Sequence, residues 1–432
     1  MNRTLPLLQG FEPKDVIGWA RGAPVTAAQF CAAAAELARA LPKQGFVINV
    51  CDDRLNFLLG FAAALIARQV SLLPPSRADA ILQELAASHG GAYCLTDDAE
   101  LPWGVTPAAA VPEIAAEQIA ITAFTSGTTG RSQPQTRSWG SIVLAAAAMS
   151  RRLGIPGRSR ACILGTVPPQ HMYGFETTVM LPLQNGVSVH GARPLLPADV
   201  ARALEEMPGE RWLATTPVHL RACLGAESVF PPLAGVLSAT MPLPVELAQD
   251  VEQRWSTTVH EIYGCTETGT VALRKPTQDE SWRLMDGLTL SQKGDETWVS
   301  GGHVGQAMRL PDGIALSGDG VFQLLGRPQD MVKVAGKRAS LDALNHELLR
   351  VQGVRDGAFF LPEQTFTGQQ RLAAVVATVP GLTAEAILQA LRERLDPAFL
   401  PRPLVIVDAL PRNATGKLPR EALLMALARQ TA

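Results

Sequence analysis

From about residue 25 to residue 265 the chain alternates between two hydrophobic periods, and that alternation restricts the fold more than any other property of the sequence. Compact apolar runs have the length of buried strands: FVINV (46–50), VSLL (70–73), AYCL (92–95), QIAITAF (118–124), ACILGT (161–166), RWLAT (211–215), VLSA (236–239) and TVHEIY (258–263). Between them lie longer stretches with apolar residues at helical spacing. Phe30, Ala34, Leu37 and Leu41 follow Thr26, a helix-capping residue type. Further helices are expected at 53–68, 77–87, 138–152 and from about 172. Strand and helix in turn imply an α/β unit built on a largely parallel sheet.

Past residue 285 the texture changes to short strands with Gly and Asp turns, through LLGRPQD (324–330), which reads as a small β subdomain. The last hundred or so residues form an α+β block: helix 341–350, strands near 357–361 and 371–378, helix 383–394, strand LVIV (404–407) and a helix from 419. A chain of 432 residues exceeds one ordinary core. The expected division is an N-terminal domain, 1–327, made of α/β subdomains plus the small β subdomain, and a small mobile C-terminal domain, 328–432.

Apolar residues make up 47% and charged residues 18%, with a net charge of −2. That balance suits a globular enzyme and gives no field to recruit nucleic acid or a membrane surface. The run FLLGFAAALIA (57–67) ends at Arg68, well short of the roughly 20 residues of a bilayer span, and reads as a buried helix. MNRTLPLLQGFEPKD lacks the apolar core and cleavage site of a secretory signal, so a cytoplasmic location is expected. Cys31, Cys51, Cys94, Cys162, Cys223 and Cys265 stand singly, without a CxxC pair or a His at metal-ligand spacing; reduced thiols are expected.

TSGTTG (125–130) follows a strand-like run and is read as leading into a helix, a setting in which backbone N–H groups converge on an anion. It does not match the Walker pattern G-x-x-x-x-G-K-[ST]. YGCTETG (263–269) places an aromatic ring, a hydroxyl and a carboxylate within five residues. SGDG (317–320) precedes VFQLLGR, and PRNATGKLPR (411–420) sets a lysine in a turn near the C-terminus. Each has an ordinary explanation taken singly: Tyr263 as core, Glu267 as a helix-start charge, Asp319 in a turn, Lys417 as a solvated side chain.

Taken in this order and at these separations, the motifs resemble the adenylate-forming superfamily of acyl-CoA synthetases, aryl-acid ligases, peptide-synthetase adenylation domains and luciferases, over residues 25 to 425. The resemblance implies that a carboxylic acid and ATP form acyl-AMP and pyrophosphate, and that the acyl group then passes to the thiol of CoA or of a carrier protein's 4'-phosphopantetheine. It implies that Thr125, Ser126, Gly127, Thr128, Thr129 and Gly130 hold the β- and γ-phosphates. His171, in VPPQHMYGFE, matches the residue at the mouth of the acid pocket. Ser238, Ala239 and Thr240 resemble the adenine-side loop, and Tyr263, followed by Gly264, the ring that stacks on adenine. Thr266 then meets the α-phosphate, Glu267 the Mg²⁺, Asp319 and Arg327 the ribose hydroxyls, and Lys417 the carboxylate and α-phosphate together. Such chemistry is mostly electrostatic, because an ionised carboxylate attacks a phosphate already wrapped in negative charge. The thiol step is implied to follow a swing of the small domain near Gln329, presenting DMVKVAGKRAS (330–340) with Gly336.

Three departures stand out. The lysine that the family carries after the first loop is missing, since RSQPQTR offers only Arg131 and Arg137 as cations. The hinge position is a neutral Gln329, and the stretch from Tyr263 to Asp319 is short. Compactness resembles small stand-alone ligases that load aryl acids such as hydroxybenzoates onto acyl carrier proteins. Ala239, Gly264 and Cys265 are read as leaving space for a flat ring or an aliphatic slot. The alternative is a homologue with reduced catalysis that senses a nucleotide or acyl-adenylate; oxygen-using luciferase chemistry is the third reading.

Overall fold

The computed structural model describes residues 3–107, 110–124, 134–155, 160–294, 296–326, 330–334, 337–362, 371–412 and 418–431. The chain forms two compact units. The larger comprises Met1–Ala239, Val245–Ser291 and Trp298–Met308; the smaller comprises Thr240–Pro244, Gln292–Thr297 and Arg309–Ala432.

Two sheets in the larger unit carry the alternation read from the sequence. In one, the order is Tyr93–Leu95, Phe46–Asn49, Val70–Leu73, Ile119–Phe124, Pro134–Ser138. The first three pairings are parallel and the last antiparallel. In the other, Ala161–Gly165, Glu210–Thr215, Gly235–Ser238 and Val259–Cys265 are successive parallel neighbours. Gly269–Arg274 and Trp282–Leu284 continue that sheet antiparallel on one side, and Ser188–Val189 and Val16–Ala20 extend it in parallel on the other. Every residue of Ala161–Gly165 and of Gly235–Ser238 is buried. Helices on both faces of a parallel sheet leave no strand face for water, which is why these runs are apolar throughout.

The helices follow the sequence signals closely. Thr26 caps Ala27–Ala40 through a reciprocal box with Gln29, and Phe30, Ala34 and Leu37 are buried. The apolar run seen at 57–67 lies in the helix Arg54–Ile66, where every residue from Arg54 to Leu65 except Asn56 is buried. The helix expected from 172 is present but not regular. Met172–Phe175 is α, Glu176–Met180 is a π turn, and Leu181–Asn185 is α again. Thr177 and Thr178 donate their hydroxyls to the carbonyls of Tyr173 and Gly174, the back-bonding that accompanies a distorted helix.

One sequence expectation is corrected here. TSGTTG is not followed directly by a helix: Pro134–Ser138 is a strand that pairs antiparallel with Ile119–Phe124, in register from Phe124↔Pro134. The helix starts only at Trp139, capped by Ser138. A strand thus separates TSGTTG from that helix in the chain. A second unforeseen hairpin pairs Val16–Ala20 with Ala23–Thr26 through Arg21 and Gly22, both at positive φ (51° and 81°), the requirement of a two-residue turn.

The smaller unit has its own core. Val354–Phe360 and Ala373–Thr378 pair antiparallel, and Leu404–Val407 joins in parallel. The middle strand is buried throughout: Ala374 and Val376 pack with Leu344, Leu348, Ile387 and Leu391, while Ala373, Val375 and Ala377 pack with Val405 and Leu423. Successive side chains face opposite ways, so helices must cover both faces. This unit also holds the hairpin Gly313–Gly318/Val321–Gly326, closed by Asp319 and Gly320 at φ 46° and 71°.

Candidate active site

The two neighbouring parallel strands Gly235–Ser238 and Val259–Cys265 end together, with Ser238 opposite Glu261, and bring the adenine-side residues to the same sheet edge as Tyr263. The carboxyl ends of parallel strands are where open α/β sheets bind ligands. Ser238 is fully buried, and its hydroxyl has no partner among the described residues. Ala239 is also buried; Thr240 follows at φ 78°, with a buried, unpartnered Oγ1. Both hydroxyls are covered by protein and unpaired among the described residues.

Tyr263 is half-buried, and its ring lies 5.6 Å from that of Trp282 at an interplanar angle of 58°. Behind Trp282, the guanidinium of Arg274 sits 4.6 Å from the ring centroid and donates to Glu261 at 2.6 Å. Glu261 and Arg274 are cross-strand partners, so the hairpin register itself makes the ion pair. The Tyr263 ring is thus backed by an aromatic–cation stack rather than by loose apolar packing. The register shifts between Tyr263 and Gly264, and a Cβ on Gly264 would lie 2.3 Å from the Gly269 carbonyl oxygen. Glycine is needed there for close approach of the hairpin's own strands.

Thr266 and Glu267 sit half-buried in the turn Cys265–Gly269. Arg137 donates to the Glu267 carbonyl at 2.8 Å, and Glu176 accepts from the Thr270 amide at 3.0 Å and hydroxyl at 2.6 Å. Burial pushes the Glu176 carboxyl up, against the pull of its Thr270 bonds and the Arg137 charge. Burial also raises the Cys265 thiol to about 11, so it stays protonated near neutrality. All six cysteines are free, as expected. Among the described residues no cluster of three or more His, Cys, Asp or Glu could hold a metal. Mg²⁺ commonly takes one or two carboxylates plus substrate phosphates, a donor set that Glu267 in an otherwise neutral turn fits.

The VPPQHMYG segment continues from the strand Ala161–Gly165. Arg54, completely buried, donates to the carbonyls of Gly165 (2.9 Å) and Val167 (2.8 Å) and to the Thr178 hydroxyl. The Tyr173 hydroxyl donates to the carbonyls of Thr215 (3.0 Å) and Leu237 (2.7 Å), tying the segment to the ends of two parallel strands. Burial holds that phenol well above its ordinary value, so it acts as a fixed donor. Half-buried His171 precedes the helical turn at φ −88°, ψ 142°, and a Cβ on Gly174 would lie 2.1 Å from the Pro168 carbonyl oxygen. Tyr173, two residues after His171, thus binds the end of the strand that carries Ser238.

Asp319, in the smaller unit, is exposed at the tip of its two-residue turn. Asp-Gly is the favoured sequence for a turn with both central residues at positive φ, so the hairpin alone accounts for this pair. Thr125, Ser126, Gly127, Thr128, Thr129, Gly130, Arg327, Gln329, Gly336 and Lys417 lie outside the described residues.

Several supporting residues were given no role by the sequence motifs: Arg137, Glu176, His303, Glu261, Arg274 and Trp282. Arg54 carried a faint signal, since a cation in the first turn of an apolar helix opposes the helix dipole and needs another reason to be there. Two histidines are buried in neutral form. Burial and the Lys275 charge take His260 to about 4; burial and the Arg137 charge take His303 to about 4, against a smaller upward pull from the Thr270 and Thr268 backbone. Both values are depressed from 6.5, so as pH falls the unfolded chain takes up each proton first, and stability present above pH 6.5 drains away toward pH 4. Chemical denaturation should show His260→Gln gaining on wild type by about 3 kcal/mol across that window. A difference that stays flat with pH would contradict the buried neutral imidazole.

The AMP-binding enzyme family matches residues 22–309, and the AMP-binding enzyme C-terminal domain matches residues 346–417. The chain is similar to a 4-coumarate–CoA ligase of Rhodobacter capsulatus, 30% identical over 298 residues that cover 68% of this chain and 73% of that protein. It is similar to a probable 2-succinylbenzoate–CoA ligase of Mycobacterium tuberculosis, 27% identical over 337 residues covering 71% and 84%. Among solved structures, the O-succinylbenzoate coenzyme A synthetase of Bacillus subtilis in complex with AMP has the same fold at a TM-score of 0.78 and 18% identity, over 97% of this chain and 98% of that one. With the family matched over most of its length, this chain belongs to the AMP-binding enzymes of the adenylate-forming superfamily, and is an acid–thiol ligase that works through an acyl-adenylate.

Proposed function

We propose that this ligase activates an aryl carboxylic acid such as a hydroxybenzoate in the cytoplasm and delivers the acyl group to a phosphopantetheine thiol, on an acyl carrier protein or on CoA. Two relatives are named for ligases of ring-bearing acids, which supports the aryl reading. The observation that supports the nucleotide side is the half-buried Tyr263 ring at the ends of adjacent parallel strands, where open α/β sheets bind ligands.

In the first half-reaction a carboxylate oxygen of the acid, entering past His171, attacks the α-phosphorus of ATP. The new P–O bond forms as the bond to pyrophosphate breaks, and no proton has to move. Tyr263 supports adenine on the face opposite Trp282, and Ser238, Ala239 and Thr240 line its other side. Asp319 and Arg327 hold the ribose, Thr266 donates to the α-phosphate, and residues 125–130 hold the β- and γ-phosphates. Mg²⁺, when bound through Glu267, supplies charge neutralisation at the phosphates. Lys417 brings the ammonium that draws carboxylate and α-phosphate together. In the second half-reaction the thiol sulfur, its proton released to solvent, attacks the acyl carbon, and the bond to AMP breaks. The 328–432 domain is taken to turn about Gln329 between the two, bringing up the face that includes Gly336.

Pyrophosphate release measured with a panel of benzoates, cinnamates and fatty acids, followed by transfer to CoA or to holo carrier protein, tests the proposal. A benzoate or cinnamate is expected to give the highest kcat/KM. Preference for a fatty acid overturns the aryl assignment. Nucleotide binding without turnover of any acid would establish the sensor reading instead.

A further inference from the structure

The turn that carries Thr266 and Glu267 packs against three buried side chains to which the family's motifs assign no role. Arg137, on the strand after the phosphate loop, donates one nitrogen to the Glu267 carbonyl at 2.8 Å and another toward the His303 carbonyl at 3.4 Å. Glu176, on the π turn, takes the Thr270 amide and hydroxyl. His303 is buried beside this backbone, and its own carbonyl takes the second Arg137 nitrogen. All three lie below 9% exposure.

Glycine at 269 is what lets the set close. Its φ is 69°, and a Cβ there would sit 2.4 Å from Glu176 Oε1 and 3.7 Å from the nearer Arg137 nitrogen. A carboxylate and a guanidinium therefore converge on the same backbone unit, each attracting the other across it; Glu176 is the largest favourable charge acting on Arg137. Two buried ions left apart from water persist only if they are paired and hydrogen-bonded. Here the groups that satisfy them are the backbone of the turn itself. A turn gripped on its Glu267 carbonyl and on the Thr270 amide and hydroxyl has little freedom, so the Thr266 and Glu267 side chains project from a fixed base.

We propose that Arg137, Glu176 and His303 are positioning residues that preorganise the Thr266–Glu267 turn for the metal-bound nucleotide, with Arg137 as the central member. The proposal rests on the adenylation reading. Its physical content is that donors aimed in advance do not have to reorganise when charge develops, so loosening their base affects the chemical step more than acid binding.

The experiment compares Arg137→Met, Arg137→Lys and Glu176→Gln with wild type, in pyrophosphate release and in calorimetric titration with Mg·ATP and with adenosine. For Arg137→Met, kcat is expected to fall about 30–100-fold, with KM for the acid within about threefold. Affinity for Mg·ATP should weaken about tenfold while adenosine affinity stays put, because Tyr263 and Trp282 are untouched. Arg137→Lys, keeping the charge and one donor, should recover to within about tenfold of wild type, and Glu176→Gln should lose about 5–20-fold in kcat. A purely structural role predicts otherwise: lower melting temperatures with kcat per folded enzyme within about threefold of wild type, or equal losses of adenosine and Mg·ATP binding, and either overturns the proposal. If Arg137→Met does not fold, the other two variants decide by the same criteria. If wild type itself releases no pyrophosphate, the adenylation reading fails separately, and Mg·ATP against adenosine affinity still judges the positioning set; wild type that binds neither sinks both.

Discussion

Replacing Lys417 by alanine should lower acyl-AMP formation by about 10²–10³-fold while leaving thioester formation from supplied acyl-AMP within about threefold of wild type. The asymmetry follows from where charge lies in each step. In adenylation an anion approaches an anion, and one ammonium between carboxylate and α-phosphate acts on the transition state far more than on either substrate alone. In thiolysis the acyl carbonyl is already activated by AMP, and under the proposed turn of the small domain Lys417 is not needed at the α-phosphate. Single-turnover assays of the two half-reactions measure this directly. Equal loss in both would remove Lys417 from the adenylating role.

Arg54→Met should destabilise the larger unit by about 3 kcal/mol and depress turnover as well. The side chain is fully buried and satisfies three acceptors: the Gly165 and Val167 carbonyls and the Thr178 hydroxyl. Methionine fills much of the space but leaves those acceptors dry, each at about 1–3 kcal/mol. Two effects work on the charge itself: burial and the Arg193 charge press the guanidinium below its ordinary value, whereas Asp53 and Asp52 support it. Relief of that burial offsets part of the loss, which is why the expected figure lies at the low end of three orphaned acceptors. Because Gly165 to Val167 lead directly into the His171 segment, KM for the acid should rise in the residual folded enzyme. Urea denaturation gives the stability difference; an unchanged midpoint with unchanged KM would show that the segment holds without Arg54.

Much of the fold was legible in the sequence because its signals are local and repeated. The period switch predicts the strands at 46–49, 70–73 and 161–165 within a residue or two, and Thr26 announces its helix by capping chemistry alone. Where a local signal had two meanings, the sequence was misread. PQTRS has no apolar alternation, yet pairing with Ile119–Phe124 makes it a strand and separates the phosphate loop from the helix at Trp139. The close approach of the Gly269 carbonyl to Gly264 had no signal in the sequence.

The family, the order of its motifs and the residue types that meet a nucleotide are written in the chain itself, since six short segments keep their chemistry whatever surrounds them. The supports of those segments are not. Arg137, Glu176 and His303 lie 39 residues or more apart in the chain and converge on one turn; Glu261, Arg274 and Trp282 assemble only through strand register; Arg54 reaches across to residues more than a hundred positions away. A buried charge declares its purpose by what it touches, and what it touches is set by packing between elements rather than by any neighbour in sequence.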